Sequence, residues 1–426
     1  MGIESCTQSL VFGLDRCDAL PGSVFQRGWC SLFFGVVAES MHSELKVWLL
    51  SDGVPGHVNQ AYGLVQWMSE RYRMSCLEIP VHIRARYLSR SWMPFLLRRG
   101  RRGARVVIWA HRQGIPRPLP FATPHDQVVA HQSGAPPIED LPANDVDLIL
   151  SAGGNTSFMN AALASWRGCD NIFIGSRRRL DSDMFTAHLT LEPAGPVDKG
   201  SNIVMELVPT LIDPARLRQQ ALSAREESGV TEGRPVYVLI VGGDGAGFRY
   251  EKDDWLRFAR MMKGYWDQDG AQWLVTTSRR TGRENDAFMK EILGATLPQG
   301  AVLEQVIWSD APRKVMQRYL STADRIFVTA DSMSMITECI STEKPVILLY
   351  PKHSAPNERY RAAIDKFIGL GFCSRNGQAS ETNRRETGSA ATENKANMRA
   401  IRSTLLDRLE ERIGVLRSFV GTQRAR

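Results

Sequence analysis

Two apolar runs without a polar break constrain this chain most. Val236-Tyr237-Val238-Leu239-Ile240-Val241 leads into Gly242-Gly243-Asp244-Gly245. Lys46-Val47-Trp48-Leu49-Leu50 leads into Ser51-Asp52-Gly53-Val54-Pro55-Gly56-His57. A strand with one wet face alternates apolar and polar residues, so an unbroken run signals burial on both faces. That is the state of a strand in a parallel sheet covered by helices. A helical pattern follows each loop, Gln60–Met68 with a start at about Asn59, and Asp253–Met262.

The same alternation recurs along the chain. Apolar strands are expected at Ser75–Pro80, Val146–Leu150, Ile172–Ile174, Ile203–Leu207, Gln272–Thr276, Arg325–Thr329 and Val346–Tyr350. Asn155 is the expected N-cap of a helix over Thr156–Trp166. The fold class is therefore α/β, with two Rossmann-like domains facing across a cleft. A length of 426 residues suits two domains, at ~100–200 residues each. A polar, charged connector from Arg225 to Arg234 divides an N-terminal domain, 41–230, from a C-terminal one, 231–375. Residues 376–426 read as a mobile Ser/Thr-rich loop followed by a basic helix over Met398–Phe419. Met41 lies just before the first convincing strand, so residues 1–40 read as an extension outside the folded chain.

Charge and cysteine usage narrow the classes. A net charge of +7 fits an anionic substrate, a phosphate-bearing ligand or an anionic membrane surface. No RRM, KH or zinc-finger signature accompanies it, so nucleic acid is not an expected partner. The seven cysteines have no C-x-x-C pair, which argues against a zinc site or disulfide framework and for a reducing cytoplasm. No apolar run approaches the ~20 residues of a membrane span. Asp181-Ser182-Asp183 has the letters of a metal motif but follows no convincing strand.

Five loops at strand ends carry the candidate chemistry. In an open α/β sheet, ligands bind outside the carboxyl ends of the strands. His57 brings a side chain that exchanges protons near neutral pH, and Asp52 in the same loop can orient it; Gly56 and Asn59 flank it on the acceptor side. Gly153-Gly154-Asn155 either contacts an acceptor or turns the chain. Gly242 and Gly243 either cradle a phosphate through close backbone approach or form a plain turn. Ser278, Arg279 and Arg280 either suit a diphosphate, which arginine grips with forked hydrogen bonds, or carry a solvated surface pair of arginines. Ser332 and Ser334 fall at a helix N-terminus, where backbone donors favour an anion; alternatively, Ser332 only caps the helix. Glu338 lies one turn beyond Ser334, on the same face, where a carboxylate either holds ribose hydroxyls or is simply exposed. His353 and Asn357 follow the last clear strand and can also reach the cleft.

One segment stands apart. From Ile79 to His125 no residue is acidic, while Arg98, Arg99, Arg101 and Arg102 are interleaved with Trp92, Phe95 and other apolar residues. This is either the pattern of a helix lying on an anionic membrane or a solvated helix with a core-facing stripe. The first reading adds anionic membrane lipid as a partner and a peripheral place on the inner face of the membrane.

Taken in order, Ser51-Asp52-Gly53 with Gly56-His57 and Asn59-Gln60, Gly153-Gly154-Asn155, Val241-Gly242-Gly243, Thr277-Ser278-Arg279-Arg280-Thr281 and Val328-Thr329-Ala330-Asp331-Ser332-Met333-Ser334-Met335 resemble the mitochondrial fission ELM (elongated mitochondria) family. The resemblance spans about residues 45–370. In plants the family acts as an adaptor on the mitochondrial outer membrane during organelle division. It is also similar to GT-B glycosyltransferases, whose C-terminal domain holds a nucleotide sugar and whose N-terminal domain holds the acceptor. By that resemblance, the helix bearing Ser332, Ser334 and Glu338 is the donor-binding helix. The Gly56-His57 loop then supplies a base or contacts the donor phosphates. Such enzymes need no bound metal or other cofactor; the nucleoside diphosphate sugar is the substrate. Bacterial relatives are often labelled nucleotide-sugar epimerases, but the glycine spacing here lacks the G-x-x-G-x-x-G start of the short-chain type.

The leading expectation is a glycosyltransferase moving a sugar from a nucleoside diphosphate to a lipid or surface-glycan hydroxyl. A non-catalytic membrane-associated adaptor and a GT-B-type epimerase are the competing expectations.

Overall fold

The computed structural model describes residues 44–84, 86–122, 146–191, 201–376 and 394–424, with backbone alone at 86–90 and 420–424. The chain enters on strand β1 (Leu45–Ser51), crosses by helix α1 (Pro55–Ser69) and returns on β2 (Met74–Ile83). A helical hairpin follows, α2 (Arg86–Leu97) and α3 (Gly100–Trp109), with two short strands, β3 (His111–Gln113) and β4 (Arg117–Pro118). Then come β5 (Leu148–Ala152), α4 (Ser157–Arg167), β6 (Asp170–Ile174), β7 (Ala187–Thr190) and β8 (Asn202–Val204). Helix α5 (Pro214–Glu227) leads to the second half: β9 (Val236–Val241), α6 (Lys252–Asp269), β10 (Gln272–Thr277), α7 (Arg283–Thr296), β11 (Val302–Val306) and α8 (Met316–Thr322). It closes with β12 (Arg325–Thr329), α9 (Met333–Ile340), β13 (Val346–Leu349), α10 (Glu358–Gly369), β14 (Ser374–Arg375), α11 (Met398–Arg412) and α12 (Gly414–Arg424).

Two sheets result. The first runs β3-β2-β1-β5-β6-β7-β8 and the second β11-β10-β9-β12-β13-β14. Every strand pair is parallel except those of β2 with β3 and β4. The order reverses between β1 and β5 in one sheet and between β9 and β12 in the other. These are the topological switch points at which open sheets of this type bind ligands.

The unbroken apolar runs are explained by what covers them. Leu45, Val47 and Leu49 of β1 belong to the larger core, whereas Trp48 and Leu50 face a second core formed with α2, α3 and α4. Every residue of β9 is buried. Burying such side chains on both faces contributes roughly 1.5–3 kcal/mol each.

Helix α1 starts four residues before the expected Asn59, because Pro55, with φ preset and no N–H to lose, takes the first helical position. Gly56 and His57 therefore sit in the first turn of a helix. The helix is held along its length. A Cβ on Gly63 would fall 2.5 Å from the Thr210 backbone nitrogen, so only glycine permits this approach. At its C-terminal end α11 straps it down. Arg402 reaches Glu70 at 2.6 Å, Arg71 pairs with Asp407 and Glu410 at 2.7 and 2.9 Å, and Tyr72 donates to Glu410 at 2.5 Å. The start of α11 is tied to the second half, where the Met398 amide donates to Glu343 at 2.9 Å. One helix thus bridges both halves.

Several sequence expectations shift. The expected strand Ile203–Leu207 is the shorter β8, and the C-terminal basic helix breaks at Ile413 into α11 and α12. Strands β7 and β11 were hidden by their polar residues. His188 in β7 is buried, bonding Asn202 and the Gly175 carbonyl. The edge strand β11 carries Glu304, which pairs with Arg313 and Arg318. The expectations for residues 1–40 and for 377–393 lie outside the described residues.

Gly63→Ala is expected to lower stability by about 1–3 kcal/mol through forced backbone separation, read as a reduced denaturation midpoint at unchanged slope.

Candidate functional site

The loops after β1, β5, β9 and β12 all leave the carboxyl ends of the strands at the two switch points. The sequence-predicted residues therefore converge on two loop pairs, one per sheet, with the β10 loop beside the second.

In the first pair, the Asp52 carboxylate accepts from His57 Nδ1, its Oδ2 and Oδ1 lying at 3.0 and 3.2 Å. Asp52 Oδ1 also accepts from the Val54 amide at 3.1 Å and Oδ2 from Asn155 Nδ2 at 3.0 Å. Burial alone would raise the Asp52 pKa. The hydrogen bond and charge of His57, with the Val54 and Asn155 donors, outweigh it and hold the carboxyl below its ordinary value. Asp52 is thus a buried, ionised anchor that assigns the proton to Nδ1 and leaves Nε2 as the ring's free face. Gly153, at φ 86°, is the floor: a Cβ there would lie 2.1 Å from His57 Nδ1. The imidazole is 34% exposed, open on one side and buttressed on the others.

Asn155 is not the helix N-cap expected from the sequence. Thr156 takes that position, donating from its hydroxyl to the Ala152 and Gly153 carbonyls. This frees the Asn155 amide to hold Asp52.

In the second pair, Gly242 is glycine because the buried Asp331 carboxylate fills the place of a Cβ, 2.3 Å away. Gly243, at φ 123°, lets the Arg280 carbonyl approach as closely. The Arg280 guanidinium pairs with Asp331 at 2.7 Å and passes over Gly245. Burial raises the Asp331 pKa; Thr329 and Arg280 oppose this. Ser278 donates its hydroxyl to the Gly242 carbonyl, and Thr281 does so at 3.1 Å, tying the β9 and β10 loops together. Arg279 differs: it is exposed and pairs with no carboxylate among the described residues.

Helix α9 begins at Ser332, whose hydroxyl makes no capping bond and lies 3.3 Å from Ser334 Oγ. The first amides of a helix have no acceptor within it, so Met333, Ser334 and Met335 present N–H groups at this end. The start of α1 meets this end directly, since a Cβ on Gly56 would lie 3.8 Å from Ser334 Oγ. One turn on, Asn59 Nδ2 donates to Glu338 Oε1 at 3.3 Å across the two halves. Burial pushes the Glu338 carboxyl up to about 7, only partly offset by that bond. Among the described residues no cation pairs with Glu338.

Other expectations resolve elsewhere. Asn357 caps α10, accepting from the Tyr360 amide at 2.9 Å, and His353 is exposed. Asp181 pairs with Arg98 at 3.0 Å, beside a short 3-10 turn over Ser182–Met184. Arg98, Arg99, Arg101, Arg102, Trp92 and Phe95 lie on the α2–α3 hairpin, apart from the loop pairs. Arg178 was missed. It packs on Gly154, where a Cβ would fall 2.3 Å from its Nε, and it adds a cation beside the His57 loop. The run Arg177-Arg178-Arg179 after a short strand was the available signal.

Two Rossmann-like sheets with their switch-point loops facing each other define a doubly wound α/β protein with a cleft between its halves. The chain belongs to the mitochondrial fission ELM1 family, whose sequence profile matches residues 55–398. No curated protein matches it in sequence. Among solved structures, it is similar to a UDP-GlcNAc 2-epimerase from Neisseria meningitidis bound to UDP-GlcNAc, at 11% identity over 86% of this chain and 100% of that one, TM-score 0.47. It is also similar to MurG of Acinetobacter baumannii (13% identity, 86% and 91% covered, TM-score 0.40). A third is the ADP-heptose LPS heptosyltransferase II of E. coli (12%, 72% and 85%, TM-score 0.38).

Glu338 makes the fold pH-sensitive in a definite direction. Its pKa is raised from 4.5 to about 7 on folding, so between these values the folded state holds the proton more tightly and stability falls as pH rises. Glu338→Gln should flatten that fall and be the more stable form above neutrality, by about 1–3 kcal/mol, as measured by chemical denaturation across the pH range.

Proposed function

We propose that the chain is a GT-B-like glycosyltransferase. It moves a sugar from a nucleoside diphosphate donor to a hydroxyl of a lipid or surface-glycan precursor, on the cytoplasmic side of a membrane. The observation that carries this reading is the placement of the His57–Asp52–Asn155 relay opposite the start of α9, with Glu338 one turn away.

The chemistry follows from the atoms available. An acceptor hydroxyl placed against His57 Nε2 gives up its proton as its oxygen bonds to the sugar's anomeric carbon. Asp52 holds the ring and offsets the imidazolium charge that develops. The bond from that carbon to the diphosphate oxygen breaks, and the nucleoside diphosphate leaves with its electron pair. The α9 amides and the exposed cation of Arg279 supply the electrostatic stabilisation of that charge in this reading. Glu338 accepts from the ribose hydroxyls once Asn59 yields its place. Ser278 and Arg280 act indirectly, by setting the loop shapes. Arg178 is a further cation on the acceptor side.

The adaptor reading draws on a different observation: Arg280 is already paired with Asp331, and the cleft is bridged by Asn59 and Glu338. On that reading these loops are structural.

Calorimetry with UDP, GDP, ADP and CMP separates the two. The enzyme reading expects one of them to bind, with affinity falling at least about tenfold in Arg279→Ala and Glu338→Ala. Binding to none would leave the adaptor. Turnover of a nucleotide sugar without any acceptor would make the chain an epimerase.

One kinetic outcome and one binding outcome also follow. His57→Ala should lower kcat by about 10²–10⁴-fold while leaving nucleotide affinity intact. Nucleotide binding should tighten as pH rises towards 7 and level off above it, because the ribose hydroxyls donate to the ionised form of Glu338. Binding near neutrality should then release protons, seen as a buffer-dependent binding enthalpy.

A further inference from the structure

We propose that the α2–α3 hairpin is a membrane-docking face that seats the protein on an anionic bilayer. This is independent of whether the cleft turns over a sugar.

Both helices are split lengthwise. Met93 and Leu97 of α2 and Ala104, Val107 and Ile108 of α3 are buried in one core with Ala161, Leu163 and Ala164 of α4. The opposite stripes are left outside. Trp92 is 65% exposed, Phe95 51%, Val106 47% and Trp109 69%. The two helices are packed on each other, because Gly103 brings α3 onto the Leu96 carbonyl of α2 more closely than any Cβ permits. Large aromatic side chains left exposed on one hairpin are unfavourable for a free surface and mark a contact site.

The charge around them chooses the occupant. Arg99, Arg101, Arg102 and Arg105 are exposed on the same hairpin, and residues 84–122 contain no acidic side chain. Among the described side chains of the hairpin, Arg98 is the one paired with a carboxylate, Asp181 of the neighbouring loop. Arg99 lies 4.5 Å over the Phe95 ring and Arg84 5.8 Å from Trp109, so cations and rings share one layer. Tryptophan and arginine together suit the headgroup zone, where rings enter the boundary and guanidinium groups meet phosphates. A second copy of this chain would bring arginines onto arginines. Among the described residues no helix is long and apolar enough to cross a membrane, so the contact they provide lies along the surface.

The test is co-flotation of the full chain with phosphatidylcholine vesicles, with and without phosphatidylglycerol. Wild type should float with the anionic vesicles and stay behind with the neutral ones. A variant with Trp92→Ala and Trp109→Ala, and another with Arg99, Arg101, Arg102 and Arg105 changed to Gln, should each lose at least about tenfold in partitioning. Unchanged thermal melting of both variants shows that the fold is intact. Salt should weaken the wild type and the Trp variant, while leaving little to weaken in the Arg variant. No flotation of wild type, or equal flotation of all three proteins, overturns the proposal. So does displacement of the protein from vesicles by single-stranded RNA at lower concentration than by soluble phosphatidylglycerol headgroup, which would make the face a nucleic-acid surface.

Discussion

A parallel strand buried on both faces can be left only at its carboxyl end and re-entered only by a crossover. That constraint places everything of chemical interest here. Because β1 and β9 are covered on both sides, their loops must emerge at one edge of their sheets. Because strand order reverses beside each, the edge opens into a crevice there. His57, Asp52 and Asn155 come together for this reason, although about a hundred residues separate the relay's two loops. Glu338 and the α9 amides come together for the same reason on the other side.

Helix α1 converts this layout into a site. Its first turn carries Gly56 and His57, its second face meets Glu338 through Asn59, and its last turn is gripped by α11. The ion pairs of that grip are partly buried and share partners, with Glu410 accepting from both Arg71 and Tyr72. A shared, partly desolvated network of this kind holds geometry better than an isolated surface pair. Helix α1 is thus held to the second half at its start through Asn59 and at its end through α11.

Much of the fold was legible in the sequence, for a simple reason. Strand burial and strand-end glycines are local properties, read directly from apolar runs and the turns after them. The edge strand β11 and the polar strand β7 were not legible, because Glu304 and His188 are satisfied by partners far away in the chain. Of the site, the residue types and their loops were legible and their roles were not. Asn155 looked like a helix cap until Thr156 took that position. Ser278 and Arg280 looked free for a ligand, yet one ties two loops and the other answers a buried aspartate. The run Arg177-Arg178-Arg179 offered a local signal, but Arg178 matters only because Gly154 lies beneath it.

The sequence alone determined the class of fold, the strand ends on which a ligand site must lie, and the presence of a basic aromatic segment without acids. These follow from side-chain polarity and backbone freedom, which each residue carries wherever it sits. Only the tertiary structure decided which nitrogen of His57 is held, that Arg280 rather than Arg279 answers Asp331, that Trp92 and Trp109 both stay exposed, and that Asn59 meets Glu338. Those outcomes depend on distances between segments far apart in the chain and on how much water burial removes. A linear pattern fixes neither of these.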